Sequence, residues 1–300
     1  MIDAVNLRTR LTRKPIVVAP GVYDALTAHL AEQAGFSALY VSGAAIAYTR
    51  LGRPDIGLVA MSEVVDTIAM IRDRVGAHLV VDADTGYGNA LNVGRTIRLF
   101  ERAGAGAIQL EDQAFPKRCG HLDNKTLIPA EEMVGKIRAA LDARHSRETL
   151  VIARTDAIAV EGFERTIARA VGYRDAGADV LFVEAPKTRT ELQRIPPAVK
   201  DVPLMANMVE GGKTPPLAAT DLEAIGFSLA IFPGGIVRAL ARTASEFYAS
   251  LAAHGTSEPF HDRMYDFAAL NDVIGTPTLI ALGKQYEAAA TAKSKKGSGT

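Results

Sequence analysis

The chain has 300 residues, 48% hydrophobic and 23% charged, enough for one large domain or two ordinary ones. Its 34 Lys and Arg balance 34 Asp and Glu, which excludes a global field favouring nucleic acid or an anionic membrane. A single cysteine excludes a disulfide framework and a cysteine-ligated zinc cluster. The N-terminus, MIDAVNLRTR, lacks an apolar run, and no stretch reaches the roughly 18 apolar residues of a membrane span. The composition therefore predicts a cytoplasmic protein with no membrane or nucleic-acid partner.

In chain order, short β-rich apolar runs alternate with longer amphipathic ones. The predicted strands are 16–20, 38–43, 78–84, 107–112, 150–156, 180–185, 203–208 and 229–234. Helical patterns such as SEVVDTIAMIRDRVG and AEEMVGKIRAALDARH separate them. Four joints share one design, in which a helix ends at Gly35, Gly104, Gly177 or Gly226 and a buried strand follows. A repeated α/β unit with eight strands over about 250 residues predicts a TIM (β/α)8 barrel. An open doubly wound sheet is the alternative, but no GxGxxG follows the first strand. The expected domain is a single barrel, 1–290, with a helical extension from about 235 and a disordered polar tail at 291–300.

The strands end in acids. Asp82 and Asp84 lie two apart and are expected on one face. Ile108 and Leu110 should face the outer helices, turning Gln109 and Glu111 inward, while Arg154, Asp156 and Glu184 close two later strands. In a parallel barrel these C-terminal ends form the active-site rim. Carboxylates converging there repel one another unless a cation sits among them, and oxygen ligands without cysteine or an HxxxH pair point to Mg²⁺ or Mn²⁺. The plainer alternative is that such acids are solvated or cap the next helix.

Cys119 lies in the loop FPKRCGHLDNKT, beside Lys117, Arg118 and His121. A lone cysteine is ordinarily a small buried hydrophobe. This setting is instead expected to lower a thiol pKa and keep the group accessible. Other motifs fail. EGGKTP is not a phosphate loop, because Asn207 stands where glycine is required. YVSGAA lacks the first glycine of a nucleophile elbow. Lys125 sits in a charged loop with nothing evident to desolvate it, which argues against a Schiff-base role.

VDADTGYGN, QLEDQ, KRCGH, ARTDA and FVEA, spread from about Val17 to Leu240, together resemble the isocitrate lyase/phosphoenolpyruvate mutase superfamily. The resemblance implies a Mg²⁺-dependent barrel, a homotetramer, and a C-terminal helix exchanged between subunits. It implies that Asp82, Asp84 and Glu111 hold the metal, partly through water, with Asp55 holding metal-bound water. Ser42, Gly43 and Ala44 match the segment that grips an α-keto acid carboxylate, although the family usually has glycine at position 44. Tyr40, Gly120, Arg154, Glu184 and Asn207 match substrate-contacting positions, with His121 beside the cysteine. In the lyase branch the loop cysteine is the proton donor, so Cys119 favours C–C cleavage over P–C chemistry.

The expected reaction is cleavage of a 2-hydroxy dicarboxylate, with Tyr40 or metal-bound water as the base. Cys119 then protonates the departing fragment, with His121, Lys117 and Arg118 setting its charge state. Leu122, Met208 and Val209 are expected to suit methyl groups, while Asp123 and Glu210 repel a third carboxylate, which favours an alkyl-substituted malate such as 2,3-dimethylmalate. The alternatives are 2-methylisocitrate, oxaloacetate hydrolysis or decarboxylation, a phosphonate mutase, and a non-catalytic keto-acid binder.

Overall fold

The structure, a computed structural model, describes residues 6–122 and 124–297. Eight strands form a closed parallel barrel in sequence order: β1 (Val17–Val22), β2 (Ala38–Val41), β3 (His78–Asp82), β4 (Ala107–Glu111), β5 (Leu150–Thr155), β6 (Val180–Val183), β7 (Leu204–Asn207) and β8 (Leu229–Phe232). β8 closes on β1, with Val17 opposite Leu229. Each predicted strand is present.

Side-chain alternation explains the two apolar layers. Leu79, Val81, Ile108, Leu110 and Leu181 point outward and pack with helix residues such as Ile97, Phe100 and Ile137. Val80, Ala107, Ile152, Phe182 and Leu229 point inward, joined by Leu7 and Leu11 from the N-terminal segment. The helix Ala90–Ala103 shows how the sequence builds the outer layer. Asn89 caps its start by accepting from the N–H groups of Leu91 and Asn92. Val93, Ile97 and Phe100 recur at helical spacing on the buried face. Gly104 ends it at φ +108°, and Gly35, Gly177 and Gly226 end their helices with positive φ as well. Phe100 is fully buried, so Phe100→Ala costs about 3–5 kcal/mol.

The chain divides into two compact units, Met1–Ala239 and Leu240–Thr300. The second contains the rest of the helix Gly235–His254, a short 3₁₀ turn, and the helices Phe267–Ile274 and Thr276–Gly297. The expected disordered tail from 291 is corrected: the last helix is continuous to Gly297. The run YEAAATAKSKK is rich in alanine and lysine, both strong helix formers, and this propensity sustains the helix. Residues 298–300 lie outside the described residues. Among the described residues, no helix is long and apolar enough to cross a membrane.

Candidate active site

Register sets the rim. Asp82 pairs opposite Gln109, and Glu111 opposite Arg154, so three adjacent strands bring polar side chains to one level. Tyr40 donates to Gln109 Oε1 at 2.9 Å, and Gln109 Nε2 donates to Asp82 Oδ1 at 3.1 Å. Arg154 approaches Glu111 at 3.2 Å and grips Asp156 with two bonds, at 2.8 and 3.0 Å. Asp84 does share the site with Asp82, but not through strand alternation. The strand ends at Asp82, and Asp84 sits in the following turn at φ +47°.

Ser42, just past β2, accepts from Ala45 N–H at 3.2 Å and starts the short helix Gly43–Ile46. A Cβ on Gly43 would lie 3.2 Å from Asp82 Oδ2, so glycine lets this backbone approach the acid closely. On the opposite wall, Asn207 Nδ2 donates to both Glu184 oxygens, at 3.3 and 3.2 Å.

The cysteine loop lies across this mouth and is tied down at three charged points. Lys117 is buried and pairs with Asp55 and with Asp84, the latter at 2.7 Å. His121 meets Glu184 at 3.0 Å, and Lys125 meets Asp156 at 2.8 Å. A Cβ on Gly120 would fall 2.5 Å from Arg154 Nη2 and 2.7 Å from Glu184, so only glycine lets the loop come this close. Tyr40, Ser42, Ala44, Asp55, Asp82, Cys119, Gly120, His121, Arg154, Glu184 and Asn207 line one cavity. Gly43, Asp84 and Glu111 are buried against it, next to Asp82, Lys117 and Arg154 respectively.

Several expectations are corrected by this arrangement. Burial pushes the Cys119 thiol above its ordinary pKa instead of lowering it. Lys117 is committed to Asp55 and Asp84, His121 to Glu184, and Arg118 is exposed, so these cations are not gathered on the sulfur. Tyr40 is fully enclosed, and burial together with Asp82 holds its pKa well above the ordinary value. It keeps its proton and is poorly suited to be the base. Lys125 is desolvated after all, but an ion pair holds it, which still disfavours Schiff-base chemistry. Leu122 is exposed and Met208 packs in the outer layer, so neither faces the cavity, whereas Val209 does. Glu210 pairs with Arg238 at 2.9 Å, and Arg238, which sequence reasoning missed, lines the cavity. Asp123 lies outside the described residues.

The acidic side of the rim suits a hard cation. Glu111 Oε1 is buried without a donor. Asp84 Oδ1 faces the Lys117 ammonium at 2.7 Å. Burial, with Asp82 and Asp55 nearby, pushes Asp84 up to about 6 despite Lys117, and burial raises Glu111 well above the carboxylate range. Among the described residues, no three His, Cys, Asp or Glu side chains converge tightly enough to hold a metal by themselves.

A parallel barrel with an acidic rim and a glycine–cysteine loop latched over it defines an enzyme of the barrel lyase and mutase type. The chain matches the phosphoenolpyruvate phosphomutase family over residues 7–252, and it belongs to the phosphoenolpyruvate mutase/isocitrate lyase superfamily. It is 40% identical over 286 residues to a 2,3-dimethylmalate lyase of Eubacterium barkeri, covering 95% of this chain and 99% of that one. It is 46% identical over 269 residues to a 2-methylisocitrate lyase of Aeropyrum pernix, covering 90% and 86%. The crystal structure of a 2,3-dimethylmalate lyase superposes with TM-score 0.89 at 36% identity, over 93% of this chain and 94% of the other. A phosphonopyruvate hydrolase solved with oxalate and Mg²⁺ superposes with TM-score 0.83 at 30% identity, over 93% and 97%.

Proposed function

We propose that the protein is a Mg²⁺-dependent carbon–carbon lyase that cleaves an alkyl-substituted malate, with 2,3-dimethylmalate as the favoured substrate. The observation that carries this reading is Cys119. Its thiol is held over the rim on a latched loop, and burial keeps it protonated. A proton donor must hold its proton until the acceptor appears, so the raised pKa suits this role better than the lowered one expected from sequence.

Asp82, Asp84 and Glu111, with Asp55, would hold the metal, mainly through water. Bound there, Mg²⁺ supplies Lewis-acid polarisation of the substrate's carboxylate and C2 oxygen. Ser42, Gly43 and Ala44 present backbone N–H groups to that carboxylate. Tyr40, tied to Gln109, fixes the floor of the site. Arg154 offers positive charge to the second carboxylate, whose charge grows as the C2–C3 bond breaks. As the C2 hydroxyl loses its proton to a carboxylate of the rim, the C2–C3 bond breaks and Cys119 Sγ gives its proton to C3; the products are pyruvate and a monocarboxylic acid. The latched loop excludes water while the enolate-like fragment exists.

Substrate choice turns on the far wall. Val209 offers apolar contact there, and Arg238 is engaged by Glu210. The competing substrate is 2-methylisocitrate, favoured by Arg238, a cation that would serve a third carboxylate if Glu210 released it. Coupled pyruvate-release assays decide between them. A higher kcat/KM for 2,3-dimethylmalate is expected, and a clear preference for methylisocitrate refutes this reading of the wall. Glu210→Gln should shift the ratio toward the tricarboxylate.

The homotetramer with exchanged C-terminal helices belongs to the same proposal, for a protein acting in the cytoplasm. Its support is apolar exposure in the second unit. The helix Phe267–Ile274 buries no residue, and Phe267 and Leu279 are 88% and 65% exposed. Truncation after Gly255 should yield smaller, inactive species in sedimentation, and an active truncated tetramer contradicts the exchange.

A further inference from the structure

On the helix Ala130–Ala143 the buried residues are Met133, Lys136, Ile137 and Ala140, so a lysine stands at helical spacing on the stripe that packs against the barrel. Lys136 is 4% exposed, and a lysine is seldom buried without an ionic partner. Among the described residues its ammonium pairs with no carboxylate. Its hydrogen bond, at 3.0 Å, goes to the carbonyl oxygen of Thr85. That carbonyl belongs to the turn after β3, which carries Asp84. Asp84, Gly86, Tyr87 and Gly88 all have positive φ there, at +47°, +87°, +60° and +142°. Outside glycine, such a conformation persists only where the surroundings impose it. Here the carbonyls of Ala83, Asp84, Thr85 and Gly86 are each held. Gly86 N–H donates to Ala83 at 2.8 Å and Glu111 N–H to Asp84 at 2.9 Å. Lys136 takes Thr85, and Thr96 Oγ1 donates to Gly86 at 3.1 Å. The last two are side chains reaching in from the surrounding helices.

We propose that Lys136 is a positioning residue for the cation site, clamping the Thr85 carbonyl from outside the barrel so that the turn presents Asp84 beside Asp82 and Glu111. Asp84 N–H donates to Asp82 Oδ1 at 3.1 Å, and the Asp84 carbonyl accepts from Glu111 N–H, so the peptides on both sides of Asp84 are pinned. Lys136 pins the next one. Because each peptide is planar, fixing three in succession leaves the backbone of Asp84 and Thr85 little room to rotate. Without the third bond the turn can relax toward negative φ, which swings the Asp84 carboxylate away from its neighbours. A lysine suits this task for two reasons. Its four-carbon stem gives the reach from the helix to the turn, and a charged donor binds a carbonyl more strongly than a neutral one does. Its charge alone works against a bound cation. The bond, and not the charge, is what favours the site.

This inference rests on the acids of the rim holding a divalent cation, and one experiment separates the two claims. The chelated wild-type protein and Lys136→Met are titrated with Mn²⁺, with the free ion followed by electron paramagnetic resonance. Methionine keeps most of the length of the stem and removes the donor. If Lys136 positions Asp84, the affinity for Mn²⁺ should weaken by roughly 10- to 100-fold, the usual effect of losing a group that orients a metal ligand. A lysine that acts through its charge alone predicts the opposite sign, because removing a cation near the acids tightens the binding of another. Unchanged or tighter binding by folded Lys136→Met overturns the inference. So does a variant that only loses stability to denaturant, which would show a merely structural role. No binding by the wild type would instead remove the reading on which the inference stands. Lys136→Gln, whose side chain falls one bond short of the lysine, serves if the methionine variant does not fold. The same weakening is expected of it, and wild-type affinity in the glutamine variant overturns the clamp.

Discussion

Two clusters of buried charge share one rim and are satisfied very differently. Asp156 faces Arg154 and Lys125, accepts from both, and is held down at about 2 although it is completely buried. Asp55, Asp82, Asp84 and Glu111 share Lys117 and one contact from Arg154. Glu111 retains an oxygen without a donor, and burial raises Asp84 and Glu111. The first cluster is electrostatically closed and serves as a frame. The second has an excess of negative charge that another cation would relieve, as expected of a site that binds one.

The largest expected effect tests Cys119, the proposed proton donor. Cys119→Ser should lose roughly 10²–10⁴-fold in kcat while its thermal unfolding stays close to wild type. An unchanged kcat would return the cysteine to a packing role.

Next comes the closed cluster. Asp156→Asn leaves two buried cations short of their shared anion and should destabilise the fold by about 3–5 kcal/mol, measured by denaturant unfolding. Its pH dependence has a definite sign. The folded pKa of Asp156, about 2, lies below its ordinary value, so its contribution is present above about pH 4 and is lost as pH falls through 2. That contribution is on the order of 2 kcal/mol, and Asp156→Asn should lack this part of the acid slope. A substitution without effect on stability would break the comparison.

The smallest effect belongs to the open cluster. In metal-free protein, Asp84→Asn relieves repulsion and should cost nothing or stabilise by up to about 2 kcal/mol, although activity is lost. Destabilisation as large as that of Asp156→Asn would show that Asp84 belongs to the frame instead.

The contrast also explains what the sequence reveals. The barrel is legible because strands buried on both faces read as apolar runs, such as HLVVD and VLFV. The acids of the rim are legible because they terminate those runs. The partners of the acids are not. Lys117 and Lys125 lie in FPKRCGHLDNKT, a stretch that reads as solvated, and only closure over carboxylates on other strands buries them as pairs. Arg238 is hidden for a related reason: it follows β8 in a helical pattern, and nothing local places it beside Glu210. The thiol's direction of shift is not legible because adjacency in sequence suggests cations at the sulfur, whereas Lys117 and His121 face carboxylates of their own. Leu122 and Met208 flank the cavity residues His121 and Val209 by one position, and that single step turns them away.

The most direct test of the account is to count tightly bound divalent ions by titrating the chelated protein with Mn²⁺ and following its electron paramagnetic resonance. Wild type and Cys119→Ser should bind stoichiometrically, because the acidic cluster is intact in both, and Asp84→Ala should not. Binding by Asp84→Ala as tight as wild type, or none by wild type, would contradict the claim that these carboxylates await a cation.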